Sequence, residues 1–403
     1  MKDPRAQKIL DDVYNSNDNN FSLLTEEDKK LIDIIVENID SLKAVATALI
    51  TSLVKKVLDP SQDVRYHKIN FGNPEFDKKG YSARSFDTEN ITPWMKVHFK
   101  RWAMKESAWL TRSIEQPHPF TLDFPGHIKD MNVKNAFLRI LDKLENYDKD
   151  KQKDLAYEYL KYMISRMKEK YNQQMTKVSY NIIGGKKRQL TIQRIIDALD
   201  KYFKSKFEQK EGEAYIPVIA IYSLLQTVMP YIERYKDKKL GELKPHTASD
   251  KTSFSLGDIE IFNQDNTRFE VFEIKHKIKI TKNMINDIKL KIQNSRERNL
   301  ERYYILTTAD PDIDPSDYEE IKKICSDFLK ENGIEIIPNS VIITIKYFLR
   351  LTKNPENFIE NFTYNLIRSF KEDKTLKEDH LLKWKEILKE LGFQITNQYA
   401  ESR

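Results

Sequence analysis

The sequence predicts an α/β (α+β) protein: a mixed central sheet flanked by helices, preceded by a mainly helical N-terminal region. Three observations predict it. First, Gly257-Asp258-Ile259-Glu260-Ile261 and Glu270-Val271-Phe272-Glu273-Ile274-Lys275 alternate apolar and charged residues. That is the period of a β-strand, and the polar segment 263–267 between them suits a hairpin. Second, helical and strand patterns alternate after this hairpin, and a strand–helix–strand crossover implies a mixed sheet covered by helices. Third, the patterns before residue 208 are mostly helical. The charged passage 208–213 is the expected boundary, giving a region 1–210 and a region 211–403.

Composition narrows the class. A chain of 403 residues has room for two or three domains at ~150 residues each. It is 39% hydrophobic and 32% charged, an ordinary composition for a soluble protein. The net charge of +6 permits a nucleic-acid partner without demonstrating one. A single cysteine, Cys325, excludes an internal disulfide and a multi-cysteine zinc site, and fits a reducing cytoplasm. The opening Met1-Lys2-Asp3-Pro4-Arg5 lacks the apolar core of a signal peptide. The most apolar run, 214–232, contains Pro217, Gln226, Thr227 and Pro230 and is bracketed by Glu213 and Glu233. It reads as a buried helix rather than a membrane span.

Taken in order, residues 1–26 are polar and asparagine-rich and carry no strong pattern. Thr25-Glu26-Glu27-Asp28 offers an N-cap hydroxyl followed by acids in the first turn, the start of a helix. Its apolar periodicity continues to about residue 58, where Asp59-Pro60 stops it. Residues 60–130 are rich in proline, aromatics and basic groups. Two stretches there, Gly80-Tyr81-Ser82-Ala83-Arg84-Ser85-Phe86 and Trp94 to Trp102 with Lys100 and Arg101, hold residue types used for phosphate and base contacts. The competing reading is a core of aromatics under a solvated basic face.

Helices follow at 133–145 and 148–175, the second with an apolar stripe that reads as core. Residues 178–183 read as a strand. Lys186, Lys187 and Arg188 after it are suited to a phosphate backbone, or to a solvated turn. Further helices are expected at 191–207 and 217–235. After the charged hairpin come a helix at 282–299, a strand at 302–308, a helix from Ser316 to about 332 ended by Gly333, a strand at 334–337, and helices at 341–351, 356–370 and 377–391.

The hairpin carries the chemistry. Alternation places Asp258 and Glu260 on one face of the first strand, and Val271, Glu273 and Lys275 on one face of the second. Asp258, Glu273 and Lys275 therefore converge on one side of one sheet. Hard carboxylate oxygens suit Mg2+, which keeps several waters and takes substrate phosphate oxygens as further ligands. The backbone carbonyl of Ile274 is a candidate ligand, and Glu260 or Glu270 a substitute or second-metal ligand. An ammonium at Lys275 is placed to orient water or to neutralise charge on a transition state. His276 points to the opposite face and reads as structural. His246, Ser249, Asp250, Lys251 and Ser253 form a polar loop just upstream, with Lys251 a further DNA-contact candidate.

Asp258, fifteen positions before Glu273-Ile274-Lys275, resembles the PD-(D/E)XK nuclease superfamily, most closely its type II restriction endonucleases. The likeness covers roughly residues 213–310, where a helix, an acidic hairpin, a crossover helix and another strand follow the family order. Gly257 stands at the nominal proline, and Glu213, Glu233 and Glu242 are open choices for the glutamate that many members carry on the first core helix. The resemblance implies a restriction-endonuclease-like core and a Mg2+-dependent, sequence-specific cutter of double-stranded DNA that leaves 5′-phosphate and 3′-hydroxyl ends. Asp258 and Glu273 would bind metal and Lys275 would position water. The N-terminal region, with Ser82, Arg84, Lys100, Arg101 and Lys186 to Arg188, would read sequence. A homodimer is expected for a palindromic site, and a cognate DNA methyltransferase in the same system. The alternatives are a related nuclease acting in repair or on modified DNA, a catalytically inactive DNA-binding protein, or a small-molecule metalloenzyme.

Overall fold

The computed structural model describes residues 2–397 except 17, 19, 105–116, 186–189, 209, 244–254, 296–298 and 373–374. It divides into two compact units, Met1–Met175 and Thr176–Arg403.

The first unit is helical. Helix α1 (Pro4–Asn15) was not expected from its polar composition. Asp3 caps it, accepting from the Arg5 N–H at 2.9 Å, and Pro4 occupies its first turn. Helix α2 (Glu26–Glu37) begins with a reciprocal capping box between Thr25 and Asp28, two orphan donors satisfied at once. The single helix expected to run to residue 58 breaks at Asn38, and α3 (Ile39–Leu58) follows. Short helices α4 (Pro74–Asp77), α5 (Ala83–Phe86) and α6 (Thr92–His98) lead to α7 (Met131–Glu145) and α8 (Gln152–Val178). Trp94, Phe99 and Trp102 are buried in the core formed by α1–α3, α7 and α8, so the aromatics of this segment fill the interior. The ion pair of Lys56 and Glu145, 2.6 Å apart, is enclosed with them.

The second unit holds the sheet. Strand β1 (Tyr180–Gly185) is followed by α9 (Ile192–Phe203) and α10 (Tyr215–Val228), then β2 (Lys239–Leu240), β3 (Ile259–Phe262), β4 (Arg268–Lys275), α11 (Lys282–Ser295), β5 (Arg302–Thr307), α12 (Tyr318–Asn332), β6 (Glu335–Ser340), α13 (Val341–Leu349), α14 (Glu356–Glu372), α15 (Glu378–Glu390) and β7 (Phe393–Asn397). The main sheet runs β2-β3-β4-β5-β6, antiparallel from β2 to β4 and parallel from β4 to β6. This is the mixed sheet that the patterns predict. Strand β6 is an outer strand; its Glu335 N–H donates to Glu301 O at 2.9 Å, and Pro338 lies at its fourth position.

The boundary expected at 210/211 lies inside this second unit. The reason is pairing: β1 is antiparallel to β7 some 200 residues later, with Tyr180 opposite Asn397, and α9 packs on α13 and α15.

One face of the main sheet, with Val271, Tyr303, Ile305 and Ile336, packs against Ile285, Ile288 and Ile292 of α11 and Ile321 and Phe328 of α12. On the other face Phe272 and Tyr304 stack with ring centroids 4.4 Å apart. Helix α10 is buried on nearly every side and packs along α14. Asn365 Nδ2 donates to Ser223 Oγ (2.8 Å) and Gln226 Oε1 (2.6 Å). Among the described residues no helix is long and apolar enough to cross a membrane.

Candidate active site

The hairpin register sets the site. Ile259 faces Phe272, Glu260 faces Val271 and Ile261 faces Glu270. Continuing that pairing by one residue sets Asp258 opposite Glu273. Gly257 makes the approach possible: a Cβ there would sit 2.5 Å from Val271 Cγ1 and 2.8 Å from the Phe272 carbonyl oxygen. Asp258 Oδ2 accepts from the Ile274 N–H at 2.7 Å. The N–H and C=O of one strand residue leave on the same edge, so the Ile274 carbonyl is on the Asp258 side.

Glu273 and Lys275 share the face and touch, with Lys275 Nζ 2.6 Å from Glu273 Oε1. The other carboxylate oxygen accepts from Tyr303 O–H at 3.4 Å and lies 3.8 Å from Lys291 Nζ. Burial, and then the negative charge of Glu273, push the Asp258 carboxyl up to about 6, with Lys275 and Lys291 opposing. Two like charges share a half-buried pocket beside two ammonium groups. Lys291, from α11, and Tyr303, from β5, are the site residues that sequence reasoning missed. Neither belongs to the hairpin, and only the crossover brings them to it.

Glu260 is on the expected face but is otherwise engaged. Its carboxylate accepts from Leu256 N–H (2.8 Å) and Arg268 Nε (2.7 Å), and the side chain is buried. Glu270 lies on the opposite face, fully buried, accepting from Arg234 Nε (2.9 Å) and Tyr235 O–H (2.6 Å). It is a structural anion there, away from the face where a second metal was expected. His276 also points away, as expected, between Glu213 Oε1 (3.1 Å) and Thr308 Oγ1 (2.8 Å), and burial lowers its pKa. Of the upstream glutamates, Glu213 alone bonds to the end of the motif strand, through His276 and Lys277. Glu233 pairs with Lys236 at 3.4 Å, and Glu242 is exposed.

No family model matches this chain, and no curated protein matches it. Among the described residues no group of three or more His, Cys, Asp or Glu forms a metal cluster. The donor set is smaller: Asp258, Glu273 and a main-chain carbonyl. Mg2+ is commonly held by one or two carboxylates completed by water and substrate phosphate, and this set fits that demand. Structural zinc, which wants four nitrogen or sulfur ligands, does not fit.

The remaining candidates divide. Arg84 and Lys100 are exposed in the first unit, and Ser82 donates to Ser85 Oγ at 2.8 Å. Arg101 is drawn inward instead: it is buried, with Nε 3.3 Å from Asp40 Oδ1, a carboxylate that also accepts from Trp102 Nε1. It is not presented to a DNA backbone. Lys186, Lys187, Arg188 and Lys251, like His246, Ser249, Asp250 and Ser253, lie outside the described residues. The strand that carries Glu273 and Lys275 leads into a lysine-rich segment. Lys275, Lys277, Lys279, Lys282, Lys289 and Lys291 fall between the end of β4 and the last turns of α11, with Lys277 and Lys279 exposed.

Proposed function

We propose that this protein is a Mg2+-dependent endonuclease of double-stranded DNA with a PD-(D/E)XK-type core, acting as a site-specific cutter in the cytoplasm alongside a cognate methyltransferase. The single observation that supports this most is the meeting of Asp258, Glu273 and Lys275 on one sheet face. The segment that follows is lysine-rich, with Lys277 and Lys279 exposed, and such cations attract a phosphodiester backbone.

In this reading Asp258 and Glu273 hold Mg2+ together with the Ile274 carbonyl, and bound metal supplies Lewis-acid polarisation of the phosphate and a more acidic water. The Ile274 N–H fixes the Asp258 carboxylate from behind. Lys275 moves from Glu273 to the attacking water and the phosphate oxygens, holding the nucleophile and offsetting developing negative charge. Lys291 steadies Glu273 from the helix side. The products are 5′-phosphate and 3′-hydroxyl ends. A homodimer would match a palindromic target.

The test is plasmid cleavage with Mg2+, with EDTA, and with Asp258→Ala and Lys275→Ala. Discrete metal-dependent fragments are expected from the native protein, with Lys275→Ala slower by about 10²–10³-fold, as for loss of one transition-state donor. Binding without cleavage would favour a DNA-binding protein. Neither binding nor cleavage would overturn both readings.

A further inference from the structure

A second site lies away from the carboxylates, in the groove of about 880 Å³ between α14 and the β1–β7 ribbon. Helix α14 presents Tyr364, Arg368 and Lys371 to it, spaced four and three residues apart and so on one helical face. Tyr180, Asn181 and Thr396 line the ribbon side. Lys371 is half-buried, and among the described residues it has no carboxylate, carbonyl or ring as partner. Burial lowers its pKa, with no neighbouring charge to offset that. An ammonium removed from water without a counter-charge is costly, and an incoming anion relieves the cost.

Arg368 lies one turn away, its Nε 3.3 Å from Glu372 Oε2. Glu360 and Glu372 also line the groove; Glu372 offsets Arg368, and Glu360 is eleven residues up the helix from Lys371, about 16 Å at the α-helical rise, so the Lys371 end keeps a net positive charge. Tyr364 leaves 64% of its surface exposed, an open aromatic face within two turns of that cation. Tyr180 is a fixed wall, with Lys385 Nζ 5.2 Å from its ring centroid and its O–H donating to Leu381 O at 3.4 Å.

We infer that this groove binds a nucleoside phosphate unit, with the phosphate at Lys371 and Arg368 and the base stacked on Tyr364. Cation plus exposed ring is the combination that nucleotide recognition uses, since every base has a π-face. The inference stands apart from the nuclease reading. The unit has two possible sources, a free nucleotide or a nucleotide within a single strand.

The full chain is titrated in EDTA by calorimetry with inorganic phosphate, a deoxynucleoside, a deoxynucleoside monophosphate and a short single-stranded oligonucleotide. The monophosphate is expected to bind more tightly than phosphate or nucleoside alone. Lys371→Gln should weaken it about tenfold, in keeping with loss of one charge-assisted hydrogen bond. Tyr364→Leu should weaken the monophosphate and leave inorganic phosphate unchanged. Tyr364 is exposed and Lys371 has no partner among the described residues, so both variants should melt as the native chain does; Lys371→Met is the second variant if Lys371→Gln does not. An oligonucleotide binding more tightly than the monophosphate identifies a strand as the source, and equal binding identifies the free nucleotide. Absence of binding at millimolar monophosphate, or native affinity in both variants, overturns the inference. So does binding lost in Asp258→Ala but kept in Lys371→Gln, which would put the ligand at the carboxylates. No cleavage is measured, so a failed nuclease reading leaves this test intact.

Discussion

Glu260 and Asp258 are two residues apart on one face, yet their surroundings give them different work. Glu260 is closed in by Arg268 and the Leu256 N–H, whereas Asp258 shares its pocket with Glu273 and keeps one oxygen outside the Ile274 hydrogen bond. Glu260→Gln removes the charge facing Arg268, and breaking a buried pair costs about 3 kcal/mol. Urea denaturation should show that loss, while the rise in melting temperature on adding Mg2+ that the proposed metal site predicts should persist. Asp258→Asn should behave oppositely. It relieves the repulsion with Glu273, so stability in EDTA is maintained or raised, and the Mg2+-induced rise disappears because binding to the folded state alone produces it. A Glu260→Gln chain that loses its Mg2+ response would assign Glu260 to the metal.

At the level of elements, the β3 entry is the sensitive join. Gly257→Ala places a methyl group against Val271 and the Phe272 carbonyl, and backbone gives way less readily than a side-chain tip. Overpacking of this kind costs about 1–3 kcal/mol, and because Asp258 is the next residue, the proposed cleavage activity should fall along with the melting temperature. Most elements were legible because apolar spacing is local: Thr25 and Asp28 marked the start of α2, and Gly333 ends α12 in the left-handed conformation at φ 69°. The triad Asp258, Glu273 and Lys275 was legible for the same reason, since alternation fixes the face. Lys291 and Tyr303 were not, because their approach depends on how α11 and β5 return to the hairpin. Strand β7 was missed because its partner β1 lies far away in the chain, with Tyr180 opposite Asn397. Helix α1 was missed because Ala6, Leu10 and Val13 are its only buried positions, a thin stripe in a polar stretch.

On the scale of the whole molecule, the division at 175/176 makes a prediction about fragments. A chain of 176–403 should give a cooperative unfolding transition. A chain of 211–403 should not, because it strips β1 from β7 and α9 from α13 and α15. Circular dichroism during urea titration separates the two. The first unit also carries two opposed titrations. His67, stacked on Phe120 with centroids 3.8 Å apart, is pushed down to about 3 by burial. Its folded pKa lies below the unfolded 6.5, so the stability it contributes is complete above 6.5 and lost as pH falls. Asp87 is pushed up to about 7 by burial against the Thr92 hydroxyl bond, so its contribution is complete below 3.8 and lost as pH rises through 7. Between those limits the two offset each other. Asp87→Asn should leave stability rising with pH, and His67→Phe falling, each by up to about 1.4 kcal/mol per pH unit; denaturation midpoints at several pH values read both slopes. The outer strand β6 has a consequence for assembly. Its Glu335 N–H points inward to Glu301, so alternation turns residues 336, 338 and 340 outward. Pro338 has no N–H to offer, and the Ser340 N–H is already taken by Asn339 Oδ1 at 2.8 Å. At the opposite margin β2 is only two residues long. Among the described residues these two borders of the main sheet offer a second copy of the chain no continuous row of donors to zip onto, so edge-to-edge growth through this sheet is blocked.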